Sequence, residues 1–448
     1  MTIKLALPKS LDPRLILVFG VGMLVRMIYA VYAPLSGDWR AWYMIGIVNV
    51  YNQPSPIFGI YTAPPYIFAA FYALWLRLPI SHPDPASIVT FPTWGVPPYF
   101  QPTPAALIFV LMMKLPALIS DAVIAVLIYK MLGDSGASRN RICFAVSAWL
   151  LNPLTLVLVN LNNVDSIPLM FVVFSAFLTE RRKYGLASFS LIAAGLMRLL
   201  AFIALPFLIV KTARARDWRG LLSTTVPIAV VFIPIITWLT LVRPDALALF
   251  QGRPGLYVPE ALDVFGSALR LQGIEYPENA ITLTTLAYVI VLAMITDPSK
   301  DSRLGLVAAP FLVYTAFSWV WHTMLVYGIA LGLIQIARGK GYKTLTVMLT
   351  IAGFLWILVQ VGYYICLDQA SFLFIPLYNS TLKQLSNQCV NLYGLLFSSG
   401  FSVQIRGVFS ALIVILIIRL ISGTAPKQGR DLAYDASQLT YSPTDKAY

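Results

Sequence analysis

The sequence predicts an all-α polytopic membrane protein of about 11–13 membrane helices, some short or broken. Three observations carry that prediction. Of the 448 residues, 58% are apolar and only 11% charged, whereas a soluble globular chain runs at roughly 45–50% apolar and about 25% charged. The mean hydropathy is +0.77, and the apolar residues gather into runs of about the 20 residues that one helix needs to cross a bilayer. The third is punctuation. The 30 Pro and 27 Gly are too many for a plain bundle, and lipid tolerates a broken helix only where its backbone lines a cavity or is buried in protein.

The runs fall at 13–33, 61–79, 103–131, 142–160, 164–179, 185–210, 220–242, 281–296, 304–321, 323–337, 343–365 and 403–421. Most have the length of one span, and two do not. The run 103–131 is too long for one straight crossing and carries Lys114-Leu115-Pro116 near its middle. The run 185–210 holds Arg198 at its centre and Pro206 beyond it. No cleavable signal peptide is apparent, because the first run is long enough to span and Arg26 interrupts it.

Charge placement orients the spans. Basic clusters lie at Lys4/Lys9/Arg14, Lys130/Arg139/Arg141, Arg181/Arg182/Lys183, Lys211/Arg214/Arg216/Arg219, Lys300/Arg303, Arg338/Lys340/Lys343 and Arg419/Lys427/Arg430/Lys446, and they hold most of the 32 Lys and Arg. Cytoplasmic loops concentrate basic residues. With every cluster inside, the chain zigzags consistently from residue 142 onward on one condition: segment 185–210 enters and returns as two short helices with Arg198 at the turn. In the N-terminal third, if 61–79 spans, 103–131 must also bend at Lys114-Leu115-Pro116 to bring Lys130 back inside. The side of loop 80–102, which has no Lys or Arg, stays open. Residues 1–422 then form one transmembrane unit with external loops near 34–60, 244–280 and 366–402. Residues 423–448 form a polar cytoplasmic tail without periodicity. The net charge of +13 is thereby a topology signal with an attraction to anionic lipid, and a nucleic-acid partner is excluded.

Ionisable residues within or beside apolar segments collect on the external side. They are Asp38 in Gly37-Asp38-Trp39-Arg40, Asp165 at the start of a helix, Arg198 at the hairpin turn, and His322 in Trp321-His322 between two spans. Such residues are costly in a membrane and mark functional sites by default. Each also has a structural reading. Asp38 could be a loop acid or cap an interfacial helix, and Asp165 could cap its own helix. Arg198 could pair with Asp121, and His322 could be a structural hydrogen-bonder. Arg26 snorkels or pairs within the bundle. Lys114 and Asp121, seven residues apart, could share a helix face, although Pro116 disturbs the geometry.

Other chemistries lack their signatures. There is no Walker-type phosphate loop, no paired CxxC and no HExxH helix. Two His exclude a His-rich metal site, and a divalent metal, although possible, is not predicted. Cys366 and Cys389 both fall outside on this topology, which permits a disulfide without establishing one.

The order of these features resembles the GT-C glycosyltransferases, polytopic enzymes that take sugars from lipid-phosphate donors. Gly37-Asp38-Trp39-Arg40-Ala41-Trp42-Tyr43 is like the family's external acidic motif, and Ile60-Tyr61-Thr62-Ala63-Pro64-Pro65-Tyr66 like its Tyr-x-x-Pro-Pro helix entry. Met113-Lys114-Leu115-Pro116 followed by Asp121 resembles a Lys-x-Pro…Asp segment. Leu151-Asn152-Pro153 with Asn163-Val164-Asp165-Ser166-Ile167-Pro168 resembles an Asn-Pro…Gly-Gln-x-Asp-Ser-Ile-Pro pattern. Ala194-Gly195-Leu196-Met197-Arg198 with Pro206 resembles a Gly-Leu-x-Lys…Pro segment. Asn162-Asn163 stands in place of Gly-Gln and Arg198 in place of Lys, and Arg still binds phosphate, in bidentate geometry. The closest flavour is the mannosyltransferase-like branch of prokaryotic, especially archaeal, members.

The resemblance implies a polyprenyl-phosphate hexose donor, of mannose or glucose type, and an acceptor glycan, lipid or protein on the extracytoplasmic face. It implies inverting transfer with Asp38 as general base on the acceptor hydroxyl. Arg198, assisted by His322, would hold the departing lipid phosphate. Asp165, Tyr61 and Arg40 would orient the site or the acceptor, with Lys114, Asp121 and Arg26 in support. No separate cofactor is required. The rival expectations are a secondary transporter or lipid-linked-sugar flippase, and a noncatalytic membrane assembly subunit.

Overall fold

The computed structural model describes residues 12–32, 64–82, 104–156, 165–214, 217–234, 325–339, 342–364 and 401–422, with a few single positions elsewhere. Among the described residues the chain is all-α, with eleven α-helices, a 3-10 turn, a π turn and no strand. The runs 281–296 and most of 304–321, the loops 34–60, 244–280 and nearly all of 366–402, and the tail 423–448 lie outside the described residues.

Helix α1 spans Pro13–Tyr32, α2 Pro64–Trp75, α3 Pro104–Asp134 and α4 Arg139–Leu150. Three of these four open on proline or on a residue just after it, where the missing N–H costs nothing. Helix α5 is Ser166–Glu180 and α6 Tyr184–Met197. A 3-10 turn at Leu199–Ala204 leads to α7, Leu205–Arg214. Helix α8, Trp218–Pro227, starts where the Asp217 carboxylate accepts from the Gly220 N–H at 2.9 Å, and a π turn at Ile228–Phe232 follows it. The last three are α9 Leu325–Arg338, α10 Tyr342–Tyr364 and α11 Phe401–Ser422. Two segments, Pro13–Ala30 and Leu107–Asp134, are long and apolar enough to cross a membrane, and several described helices are apolar but shorter.

The two overlong runs resolve differently. Run 185–210 breaks at Arg198, whose backbone is extended at φ −149°, ψ 115° between α6 and the 3-10 turn. The turn folds back against α6, and the Phe202 ring occupies the space that a side chain on Gly195 would fill. Run 103–131 does not bend into two helices, contrary to the expectation. Helix α3 continues through Pro116. Proline inside a helix removes one backbone bond and crowds the preceding turn, at a cost of about 3 kcal/mol. Here the helix is held along its length by α1, α4, α5 and α9, and Met113, Ala117, Leu118, Ile124 and Ile128 are all buried. The Ser120 hydroxyl donates to the Pro116 carbonyl at 2.8 Å. Packing outweighs the local propensity.

One end of the bundle gathers charge. Arg181 at the end of α5 pairs with Asp134 at the end of α3 at 2.6 Å. Arg338 at the end of α9 pairs with Glu180 at 2.8 Å and donates to the Met131 carbonyl at 3.0 Å. Arg141, near the start of α4, donates to the Arg338 carbonyl at 3.4 Å and lies over the Tyr342 ring. Three of the basic clusters therefore meet at a single end. Away from it, the main core runs through α3, α4, α5, α6 and α9. A smaller cluster, Phe68, Tyr72, Trp75, Phe109, Val110 and Met113, joins α2 to the first half of α3. His82, exposed at the rim of that cluster, meets the Trp75 ring edge-on and donates from Nε2 to the Trp75 carbonyl at 2.9 Å.

Candidate functional site

Among the described residues, two buried ion pairs lie inside the bundle. Arg26 of α1 donates from Nη1 to Asp121 Oδ2 of α3 at 2.5 Å, and neither side chain has exposed surface. The guanidinium also donates from Nε to the Leu150 carbonyl at 3.1 Å and from Nη2 to the Trp149 carbonyl and to Thr155 Oγ1. The last carbonyls of a helix have no partner within it, so Arg26 satisfies the end of α4 while its charge is met by Asp121. It also sits 5.3 Å from the Trp149 ring centroid. Trp149 Nε1 in turn donates to the Asp121 carbonyl at 3.2 Å. Arg26 can come this close because α1 carries Gly22 against Leu150, where a Cβ would lie 2.6 Å from the Leu150 Cβ. Arg26 is thus spent on structure.

The second pair joins Arg198 to Asp165. Nε donates to Oδ1 at 2.8 Å and Nη2 to Oδ2 at 3.3 Å, a bidentate geometry of the kind that combines strength with orientation. The side chains are 8% and 4% exposed. This corrects two alternatives. Arg198 pairs with Asp165 and not with Asp121, which Arg26 occupies. Asp165 stands at the N-terminus of α5 but makes no side-chain cap bond, because its carboxylate is turned to the guanidinium. The extended Arg198 backbone is what lets the side chain leave α6 and reach the start of α5.

The two pairs lie at a common depth. Arg26, Asp121, Asp165 and Arg198 are each about 13–15 residues along their helices from the charged end, which is about 20–22 Å at 1.5 Å per residue. They form a polar layer across α1, α3, α5 and α6. Ser166, next to Asp165, is 1% exposed, and Asp121 has no exposed surface. Even so, Ser166 Oγ and Asp121 Oδ1 complete no hydrogen bond of normal geometry with a described protein atom. Lys114, two turns before Asp121 on α3, is also wholly buried, while Asp121 is committed to Arg26.

Asp38, Arg40, Tyr61, His322, Cys366 and Cys389 lie outside the described residues. Cys143 is a free thiol. Among the described residues there is no group of three His, Cys, Asp or Glu side chains that would hold a metal ion. What the described layer supplies is a guanidinium fixed by the Asp165 carboxylate in a dry setting. No protein-family model matches the chain, and no curated protein matches it either.

Proposed function

We propose that the chain is a multi-pass integral membrane glycosyltransferase of GT-C type. It transfers a mannose- or glucose-type hexose from a polyprenyl-phosphate donor to a glycan, lipid or protein acceptor on the extracytoplasmic face, with inversion. The observation that carries the reading is the break at Arg198, where a buried guanidinium leaves an apolar hairpin and is gripped by Asp165. An ion pair buried between apolar helices is costly, and within a membrane such residues mark a functional site by default. An enzyme that stabilises a departing lipid phosphate within the membrane needs a cation of this kind.

The exterior supports a lipid setting. Large apolar side chains face outward in stripes at helical spacing: Ile16, Leu17, Leu24 and Ile28 on α1, and Trp218, Leu222 and Val226 on α8, leading to Val230 in the π turn. In water such stripes are costly, and in hydrocarbon they are the ordinary surface. The convergence of basic clusters at one end supports cytoplasmic placement of that end, with both termini inside. Helix α2, at 12 residues, is about 18 Å long and too short to cross alone. With α1 leading out and the straight α3 leading back, Lys130 returns to the cytoplasm without a bend in α3.

In the mechanism that follows, Asp38 takes the proton from the acceptor hydroxyl as that oxygen attacks the anomeric carbon. The bond to the lipid-phosphate oxygen breaks with its electron pair left on that oxygen, and Arg198, with His322, stabilises the negative charge that develops there. Asp165 holds the guanidinium in orientation. Tyr61 and Arg40 shape the acceptor side, while Arg26 and Asp121 hold the helices. Membranes containing the protein, supplied with radiolabelled polyprenyl-phosphate hexoses and an endogenous acceptor fraction, should yield labelled product, and Asp38→Asn should not. Retained transfer by Asp38→Asn would remove Asp38 as the base. Carriage of an intact lipid-linked sugar across the membrane without transfer would favour a flippase.

A further inference from the structure

Helices α5 and α6 form an antiparallel hairpin tied by polar rungs. Ser175 Oγ of α5 donates to the Ala187 carbonyl at 2.8 Å, and Ser190 Oγ of α6 donates to the Phe171 carbonyl at 2.7 Å. Hydroxyls that donate across helices hold their spacing where no water competes. Asp165 stands at the N-terminus of α5, so the hairpin fixes its carboxylate in place. Arg198 follows the last residue of α6, and its backbone is held on both sides. Its N–H donates to the Ala194 carbonyl at 2.8 Å, and its carbonyl takes the Ala201 N–H at 3.0 Å. Those bonds leave open how far the 3-10 turn swings from α6, and that swing sets where the Arg198 stem starts. A further contact closes this freedom. Phe202 reaches back across the turn and lays the outer edge of its ring, Cε1, Cζ and Cε2, where the Cβ of any residue but glycine at 195 would stand. Ala194 and Ala201, both without exposed surface, leave room for the approach. The notch is one methyl group deep, and close packing transmits a change of that size.

We propose that Phe202, seated in the Gly195 notch, is a positioning residue for Arg198. It fixes the turn that gives Arg198 its extended backbone, and so aims the guanidinium at Asp165. The placement stands on the geometry alone, and its kinetic consequence rests on the glycosyltransferase reading. When a donor phosphate draws on the guanidinium, Asp165 shares its hold on the head of the side chain, and the seated ring keeps the stem in place.

Two measurements on purified full-length protein test this. The first is a cycle of thermal midpoints for Phe202→Ala, Asp165→Asn and the double variant. With the ring aiming Arg198 at Asp165, the double falls less than the sum of the singles. A fall equal to the sum, as independent sites give, or greater than it overturns the proposal. The second is transfer kinetics with a polyprenyl-phosphate hexose. Gly195→Ala fills the notch and Phe202→Ala empties it; each should lower kcat by about tenfold to a hundredfold, with little change in donor KM. Phe202→Leu, added to Gly195→Ala, withdraws the ring edge and should restore most of the rate. In an Arg198→Lys background Gly195→Ala should cost little more, which a general loosening of the fold would not reproduce. A parental kcat in either single variant, no recovery in Gly195→Ala/Phe202→Leu, or a full loss repeated in the Arg198→Lys background would overturn it. Where Gly195→Ala does not fold, Phe202→Ala carries the same test. If no donor supports transfer, the glycosyltransferase reading fails while the thermal cycle still decides the placement.

Discussion

Replacing Arg26 with Met should destabilise the protein severely, and removing its partner as well should repair most of the damage. The magnitude follows from what Arg26 touches. Arg26→Met strands the Asp121 carboxylate in a site with no exposed surface, and breaking a buried ion pair from one side costs about 3–5 kcal/mol. The Trp149 carbonyl keeps the Thr155 hydroxyl at 2.6 Å, but the Leu150 carbonyl loses the Arg26 donor, adding about 1–3 kcal/mol for an unmet acceptor. In Arg26→Met/Asp121→Leu the stranded charge is gone and only the carbonyl term remains. Apolar side chains of similar volume often replace a buried pair without loss. The bond from Trp149 Nε1 to the Asp121 backbone does not depend on the side chain and should survive. The assay is equilibrium or thermal unfolding of purified protein in one detergent, comparing both singles with the double. A double variant as unstable as Arg26→Met, or a single variant within about 0.5 kcal/mol of the parent, would refute the reasoning.

Further outcomes follow from the same contacts. Arg198→Lys keeps the charge but cannot reproduce the two parallel bonds to Asp165, so transfer should fall by about tenfold or more; parental rates would show that bidentate geometry is immaterial. Gly22→Val should force α1 from Leu150 at a cost of about 1–3 kcal/mol, read as a lowered unfolding midpoint, and an unchanged midpoint would mean that the approach is not close. Arg338→Ala leaves the partly buried Glu180 unmet and should lower stability by about 1–3 kcal/mol, with Glu180→Gln in the same background restoring part of it. Asp38→Asn should cost transfer about a hundredfold to ten-thousandfold, the range of general acid–base catalysis.

The break at Arg198 was legible because several signals agreed. A cation in mid-run, Gly195 before it, Pro206 after it and basic clusters on both flanks left a hairpin as the consistent path. The straightness of α3 was not legible. Pro116 and Lys114 argued locally for a bend, while the packing that keeps the helix whole comes from α1, α4, α5 and α9, distant in the chain. On the proposed topology, a short α2 that does not cross removes the need for that bend. The ion pairs were half legible. Two arginines and two aspartates in apolar segments announce buried pairs, but sequence does not say which acid meets which base. Arg26 to Asp121 and Arg198 to Asp165 are chosen by helix packing, and by the extended backbone at Arg198 that frees its side chain.

The most direct measurement is an experimental structure of the protein in a lipid bilayer with a polyprenyl-phosphate analogue bound. The account predicts the phosphate oxygens within hydrogen-bonding distance of the Arg198 guanidinium and the Asp38 carboxylate facing the same cavity, on the leaflet away from the Arg141–Arg181–Arg338 end. A phosphate held elsewhere, or Asp38 and Arg198 opening to opposite leaflets, would contradict it.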